Sequence, residues 1–206
     1  MRQTALNMVH ALAKDDPRVL FIGSDLGAGT LKAMKAEMPE RWLMEGVAEQ
    51  HLIGMAAGLA MDGFVPYLNT IATFLTRRCL EQVAVDLCVH KLPVRLIASG
   101  GGLVYAPLGP THLAIEDVAL MRALPNMTVL CPSDAVEMRK LMAETLPWPG
   151  PIYIRLGKGG DPVISADGDD VKIGKALWRR SGRDVVLVST GVMTARCMAA
   201  AEALTS

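Results

Sequence analysis

Aromatic residues are scarce in this chain of 206 residues, with three Phe, three Tyr and three Trp against 13 Met. Such a chain packs with small and flexible side chains, and its helices can approach one another closely. Net charge is also lacking, since 21 basic and 21 acidic residues cancel. With 51% hydrophobic residues, that balance excludes a disordered or polyanion-binding protein and leaves no electrostatic argument for nucleic acid. No apolar run approaches the length of a membrane span. The first residues, Met1-Arg2-Gln3-Thr4, begin a mixed helical pattern rather than a signal peptide. Cys79, Cys88, Cys131 and Cys197 form no CxxC pair, which reads as scattered core thiols in a reducing cytoplasm. Repeats and low-complexity segments are absent as well.

What is present is an alternation of strand and helix signals. Short apolar runs at 19–23, 65–68, 94–98, 127–130 and 152–156 read as buried strands. Helical patterns are expected from Glu49 onward, over 73–90, over 115–124 and over 135–146. This alternation predicts an α/β fold, a mostly parallel sheet with helices on both faces. Residues 158–172 lack any period and read as a linker. Beyond it, 185–191 reads as a further strand and Met193 opens a helix. One strand and one helix cannot bury a core. The expected organisation is therefore a domain over 1–157, the linker, and a strand and helix over 173–206 that do not make a domain by themselves.

Glu49 is the most informative residue. Leu52, Ile53, Ala56 and Ala60 lie at its i+3, i+4, i+7 and i+11 positions, so the carboxylate sits on the apolar stripe of a helix. An unpaired charge buried there costs several kcal/mol. Two readings fit, a group held for proton chemistry or a structural acid in a first turn favoured by the helix dipole. Gly54 and Ala57 would let another backbone approach the helix.

The surrounding motif, Gly46-Val47-Ala48-Glu49-Gln50-His51 followed by Ala56-Ala57-Gly58-Leu59-Ala60, resembles the thiamine-diphosphate enzymes of the transketolase superfamily. The resemblance continues in order through Thr73-Phe74-Leu75-Thr76-Arg77-Arg78, Glu81-Gln82-Val83, Lys91-Leu92-Pro93-Val94, Gly100-Gly101-Gly102-Leu103, Gly109-Pro110-Thr111-His112, Glu116-Asp117, Met121-Arg122-Ala123-Leu124-Pro125 and Pro132-Ser133-Asp134. It covers essentially the whole chain, with 1–157 resembling the family's pyrimidine-binding domain and 173–206 implied to be the start of its C-terminal α/β domain, cut short.

The resemblance implies roles. Glu49 matches the glutamate that hydrogen-bonds N1′ of the cofactor's aminopyrimidine and so makes the 4′-nitrogen basic enough to take the thiazolium proton. Phe74 matches a ring that stacks on that pyrimidine. Arg77 or Arg78 matches an arginine beside the same ring, and the spacing leaves open which. His112 matches a histidine near the substrate that serves for proton transfer or for the donor's hydroxyls, and Arg155 matches an arginine that binds a sugar phosphate. Gly101 lies in the glycine loop that lets backbone approach the substrate. His10 and His90 read as surface positions, and His51 as either surface or site.

Two departures stand out. An acidic residue common four positions before His112 is Leu108 here, and a histidine common at Gly100 or its neighbour is missing. Both put the donor sugar in question. No Gly-Asp-Gly with a distant Asn is found for metal and diphosphate. The resemblance thus implies the C-terminal subunit of a split transketolase that moves a two-carbon ketol unit from a ketose to an aldose. The implied cofactors are thiamine diphosphate and Mg, the latter bound mainly by a partner, the diphosphate-binding N-terminal subunit. Association into a heterotetramer is expected, with a small sugar as substrate and no nucleic acid or membrane partner. Rival readings are a deoxyxylulose-phosphate synthase, a 2-oxoacid dehydrogenase beta-type subunit, and a non-catalytic binding or regulatory homologue.

Overall fold

The computed structural model describes residues 1–26, 29 and 31–204. Six strands form one sheet: β1 (Val19–Gly23), β2 (Trp42–Met44), β3 (Val65–Ile71), β4 (Arg95–Ser99), β5 (Thr128–Leu130) and β6 (Ile152–Leu156). Their order is β2-β1-β3-β4-β6-β5, and every pairing is parallel. The middle strands read as continuous apolar runs because both faces are covered. On one face, α1 (Arg2–Asp15) packs through Ala5, Leu6, Val9, Leu12 and Ala13 against Met138, Leu141 and Met142 of α7 (Ala135–Thr145). The short α2 (Lys32–Glu37) adds Met34 to this side.

The other face carries α3 (Glu49–Met61), α4 (Ala72–Thr76), α5 (Leu80–Gln82), a π-helix over Val83–Val89, and α6 (Asp117–Ala123). The sequence predicts one helix over 73–90, but the chain breaks at Arg77–Cys79 and winds more widely afterward. Arg78 N–H bonds back to Thr73 O at 3.4 Å, a five-residue span. Opening this turn sends the two arginines to different partners. α3 is also less enclosed than its composition implies. Leu52, Ile53, Ala56, Ala57 and Ala60 are buried, whereas Gln50, His51, Gly54, Gly58 and Met61 face outward.

The segment read as a linker is docked rather than free. Asp134 caps α7 with Oδ1, which accepts from Val136 N and Glu137 N at 2.9 Å each. Its Oδ2 accepts from Ile164 N and Ser165 N at 2.7 and 2.6 Å. Lys140 Nζ donates to the carbonyls of Ala166, Asp167 and Asp169. Burial pushes Asp134's pKa up, but these backbone donors outweigh it and hold the group below its ordinary value of 3.8. Its stabilisation is therefore present above that value and lost as pH falls through the lower folded value. Asp134→Ala should cost about 1–2 kcal/mol at pH 7 and expose 158–172 to limited proteolysis. The stability gap to wild type in urea unfolding should narrow as pH falls below 3.8 and through the lower folded value.

One expected strand does not form. Residues 185–190 are irregular, with Val185, Val186, Leu187 and Val188 exposed. A strand needs a neighbour to satisfy its backbone groups, and among the described residues none lies alongside. The helix after it does form, as α8 (Met193–Ala203), and docks through Ser133 Oγ to Thr194 Oγ1 at 3.0 Å.

Candidate functional site at the carboxyl edge of the sheet

The carboxyl ends of β1, β3, β4 and β6 converge on one edge, where ligands of open α/β sheets lie. Glu49 opens α3 beside this edge, and its side chain has no solvent exposure. Thr70 Oγ1, at the end of β3, donates to Glu49 Oε1 at 3.3 Å. Ser24 Oγ, past β1, donates in turn to Thr70 Oγ1 at 2.9 Å. The second carboxylate oxygen accepts from Arg78 Nη1 at 2.5 Å. A charge that burial would otherwise penalise is thus fixed by one hydroxyl and one guanidinium. Cys79 lies close by with its thiol pushed up to about 12, by burial first and then by Glu49's charge, so it stays protonated.

Phe74 stands in α4 with its ring partly exposed. The guanidinium carbon of Arg78 lies 3.9 Å from its centroid, a cation–π stack. His112 meets the same ring at 5.1 Å between centroids with planes inclined by 66°. Tyr105 completes the cluster against His112 at 6.4 Å. Thr111 Oγ1 lies 2.8 Å from His112 Nδ1, and Thr73 Oγ1 donates to Thr111 O at 2.7 Å, tying the histidine's loop to α4.

The structure separates the two arginines. Arg77 pairs with Glu116 and donates to Pro110 O and Leu113 O at 2.7 and 2.8 Å, so its guanidinium holds the 110–116 loop. Of the two arginines that the sequence leaves open, Arg78 is the one that contacts Glu49 and Phe74. Adjacent acids divide the work. Glu116 serves Arg77, while the buried Asp117 serves Arg155.

Arg155 ends β6 and belongs to a partly enclosed network rather than standing as a bare charge. Its Nε donates to Asp117 Oδ2 at 2.8 Å and its Nη2 to Ala114 O at 3.1 Å. Tyr153 Oη donates to the same Asp117 oxygen at 2.8 Å. Burial draws Arg155's pKa down, but Asp117 more than offsets it and the net shift is upward. Burial and then Asp117's charge push the Tyr153 phenol well above its usual value, so it remains a neutral donor. Gly101 lies flat against this guanidinium, since a Cβ there would fall 2.6 Å from Arg155 Cζ. The missing histidine at Gly100 also has a physical reason. Gly100 has φ +86°, and a Cβ would fall 2.1 Å from Tyr105 Cε2, so the tyrosine ring already fills that space. Leu108 lies exposed in a short 3-10 turn over Ala106–Leu108.

His10 bonds Glu37 at 2.9 Å, and His51 and His90 are exposed. Sequence reasoning gave no role to Thr70, Ser24, Tyr105, Asp117 or Tyr153. A polar pair at the end of an apolar strand, Asn69-Thr70, was the available signal for the first. Among the described residues, no group of three or more His, Cys, Asp or Glu is placed to hold a metal ion.

Residues 1–160 match the family described as "Transketolase, pyrimidine binding domain". A 6-deoxy-6-sulfo-D-fructose transketolase subunit of Clostridium sp. (strain MSTE9) is 36% identical over 205 residues, 99% of this chain and 64% of that protein. A 1-deoxy-D-xylulose-5-phosphate synthase of Crocosphaera subtropica is 35% identical over 198 residues, covering 94% of this chain and 31% of the relative. Among solved structures, a split gene transketolase described as an inactive beta4 tetramer superposes with a TM-score of 0.90 at 35% identity, covering 99% of this chain and 66% of that one. The transketolase of Leishmania mexicana superposes with a TM-score of 0.65 at 25% identity over 76% of this chain. The chain thus spans less than two thirds of the length of these relatives.

Proposed function

The chain belongs to the transketolase pyrimidine-binding family, and from that premise we propose that it is the C-terminal part of a thiamine-diphosphate-dependent, split transketolase. It transfers a two-carbon ketol unit from a ketose to an aldose, with a partner chain that supplies the diphosphate and Mg ligands. The observation that carries this reading is the Glu49 carboxylate, wholly buried yet joined through the Arg78 guanidinium to the partly exposed ring of Phe74.

The residues present suit the pyrimidine half of the cofactor. The carboxyl group and the aromatic ring that Arg78 bridges match the needs of a flat ring with a basic nitrogen on its rim. The bound cofactor supplies a thiazolium carbon that can hold the electron pair of a broken carbon–carbon bond. Glu49 holds a proton at a carboxyl oxygen toward the ring nitrogen, in a position fixed by Thr70 and the start of α3. Phe74 supports the ring face and keeps water from it. His112, oriented by Thr111, exchanges protons with substrate hydroxyls through Nε2. Arg155, aligned by Asp117 and packed on Gly101, donates to an anionic end of the sugar. The sulfonated sugar named for the Clostridium relative is one such anionic substrate, of that protein. The outward residues of α3, Gly54 and Gly58, have open space around them and suit close approach of another helix.

Calorimetric titration tests the shared site. The chain alone should show no Mg-dependent binding of thiamine diphosphate, and addition of the diphosphate-binding subunit should restore it. Submicromolar binding by the chain alone would contradict the split arrangement.

A further inference from the structure

Arg78 holds the two groups to which the proposed function assigns the cofactor's ring. Its Nη1 donates to Glu49 Oε2 at 2.5 Å, and its guanidinium carbon lies over Phe74 at 3.9 Å from the centroid. A guanidinium is a planar cation with N–H donors on its rim. An aminopyrimidine is also planar with polar hydrogens and nitrogens on its rim. Both therefore need one carboxylate and one aromatic face, and they cannot take the same face of Phe74 together.

The geometry points to Arg78 as a displaceable cap on the aminopyrimidine site. The cap keeps the buried Glu49 partnered, then swings aside when the ring enters. This rests on the reading of Glu49 and Phe74 given above. Three features suit a swinging side chain. Arg78 is 40% exposed at the side chain while Glu49 is 0% exposed, so the guanidinium has a path into solvent without repacking. Gln50 Nε2 donates to Arg78 O at 3.0 Å, which anchors the backbone and confines the movement to the side chain. The neighbouring Arg77 is tied to the 110–116 loop, so the loop's support does not depend on where Arg78 points.

The cap lowers apparent affinity for the ring by the fraction of molecules in which Arg78 is displaced. A cap displaced in about one molecule in five lowers apparent affinity roughly five-fold, which is about 1 kcal/mol. The wider consequence is that a free pyrimidine fragment binds poorly, whereas a cofactor already anchored by its diphosphate pays the displacement from that other end.

The test is an NMR titration of the full chain with 4-amino-5-hydroxymethyl-2-methylpyrimidine. Wild type, Arg78→Gln, Arg78→Ala and Glu49→Gln are compared, each first checked by thermal melting. Arg78→Gln leaves a hydrogen bond for Glu49 and serves if the alanine variant does not fold. The expected result is roughly five-fold tighter binding in the Arg78 variants, judged from Phe74 ring shifts. In wild type, the Arg78 Nη1–H should lose its exchange protection as the pyrimidine is added. Phe74 shifts with equal or weaker affinity in the Arg78 variants would overturn the cap and leave the site reading standing. No Phe74 shift in any variant at saturating pyrimidine would overturn the site reading, and the cap with it.

Discussion

Glu49→Gln should remove most turnover from the reconstituted complex while leaving the fold and cofactor affinity nearly intact. The amide keeps the size and shape of the carboxyl group. It can still accept from Thr70 Oγ1, which now lies 3.3 Å from Glu49 Oε1. What it cannot do is hold a titrating proton toward the ring nitrogen. Loss of such acid–base assistance costs on the order of 10²–10⁴-fold in rate. The measurement is ketol transfer by the assembled complex, with circular dichroism and calorimetric binding as controls on fold and affinity. A drop in cofactor affinity that accounts for the whole rate loss would reassign Glu49 to binding alone.

Asp117→Ala should be the most destabilising single change at the site. It strips partners from Arg155 Nε and Tyr153 Oη at once, and both lie on strand β6 in the sheet. Asp117 is 1% exposed, so little water can replace the lost carboxylate. Breaking a buried pair costs about 3–5 kcal/mol. Arg155 keeps 23% side-chain exposure, which places the expected loss at the low end, about 3 kcal/mol. For a domain of this size that is a fall in Tm of about 6–12 °C. Asp117→Asn keeps the shape and one acceptor oxygen and should recover about half of the loss. Thermal unfolding of the three proteins decides it. A melting curve for Asp117→Ala within 1–2 °C of wild type would mean that the network contributes nothing to the fold.

The sheet was legible because its strands are buried on both faces. Val19–Gly23 and Ile152–Leu156 are short apolar runs bounded by turn signals, and each is a strand with those bounds. Trp42–Met44 escaped notice, since three half-buried residues on a sheet edge carry no pattern. The break at Arg77–Cys79 was equally hidden. Helical period over 73–90 is satisfied by α4, α5 and the π-helix alike, because local pattern does not register one widened turn. Residues 185–190 show the opposite failure. Their apolar, β-branched composition favours a strand, but pairing depends on a neighbour that composition does not supply.

At the site, single residues were legible and their connections were not. Glu49 could be singled out from helical spacing, and Phe74, His112 and Arg155 from the motifs around them. The division of labour between Arg77 and Arg78 required coordinates, because adjacent residues in an irregular turn can point anywhere. Arg95 makes the same point within the sheet. An arginine in a buried strand reads as an anomaly until its guanidinium is seen donating to Gly150 O and Trp148 O at 2.6 Å each. Burial brings its pKa down to about 10, which still leaves it charged at neutral pH.

On the proposed function, Glu49 moves a proton for thiamine chemistry rather than only filling a place in the core. The most direct measurement is the exchange rate of the thiazolium C2 proton with deuterium, followed by quenched NMR in the complex of this chain with its diphosphate-binding partner. Exchange should be fast with wild type and slowed on the order of 10²-fold or more with Glu49→Gln. Exchange as fast with Glu49→Gln as with wild type would show Glu49 to be a buried structural carboxylate with no part in proton transfer.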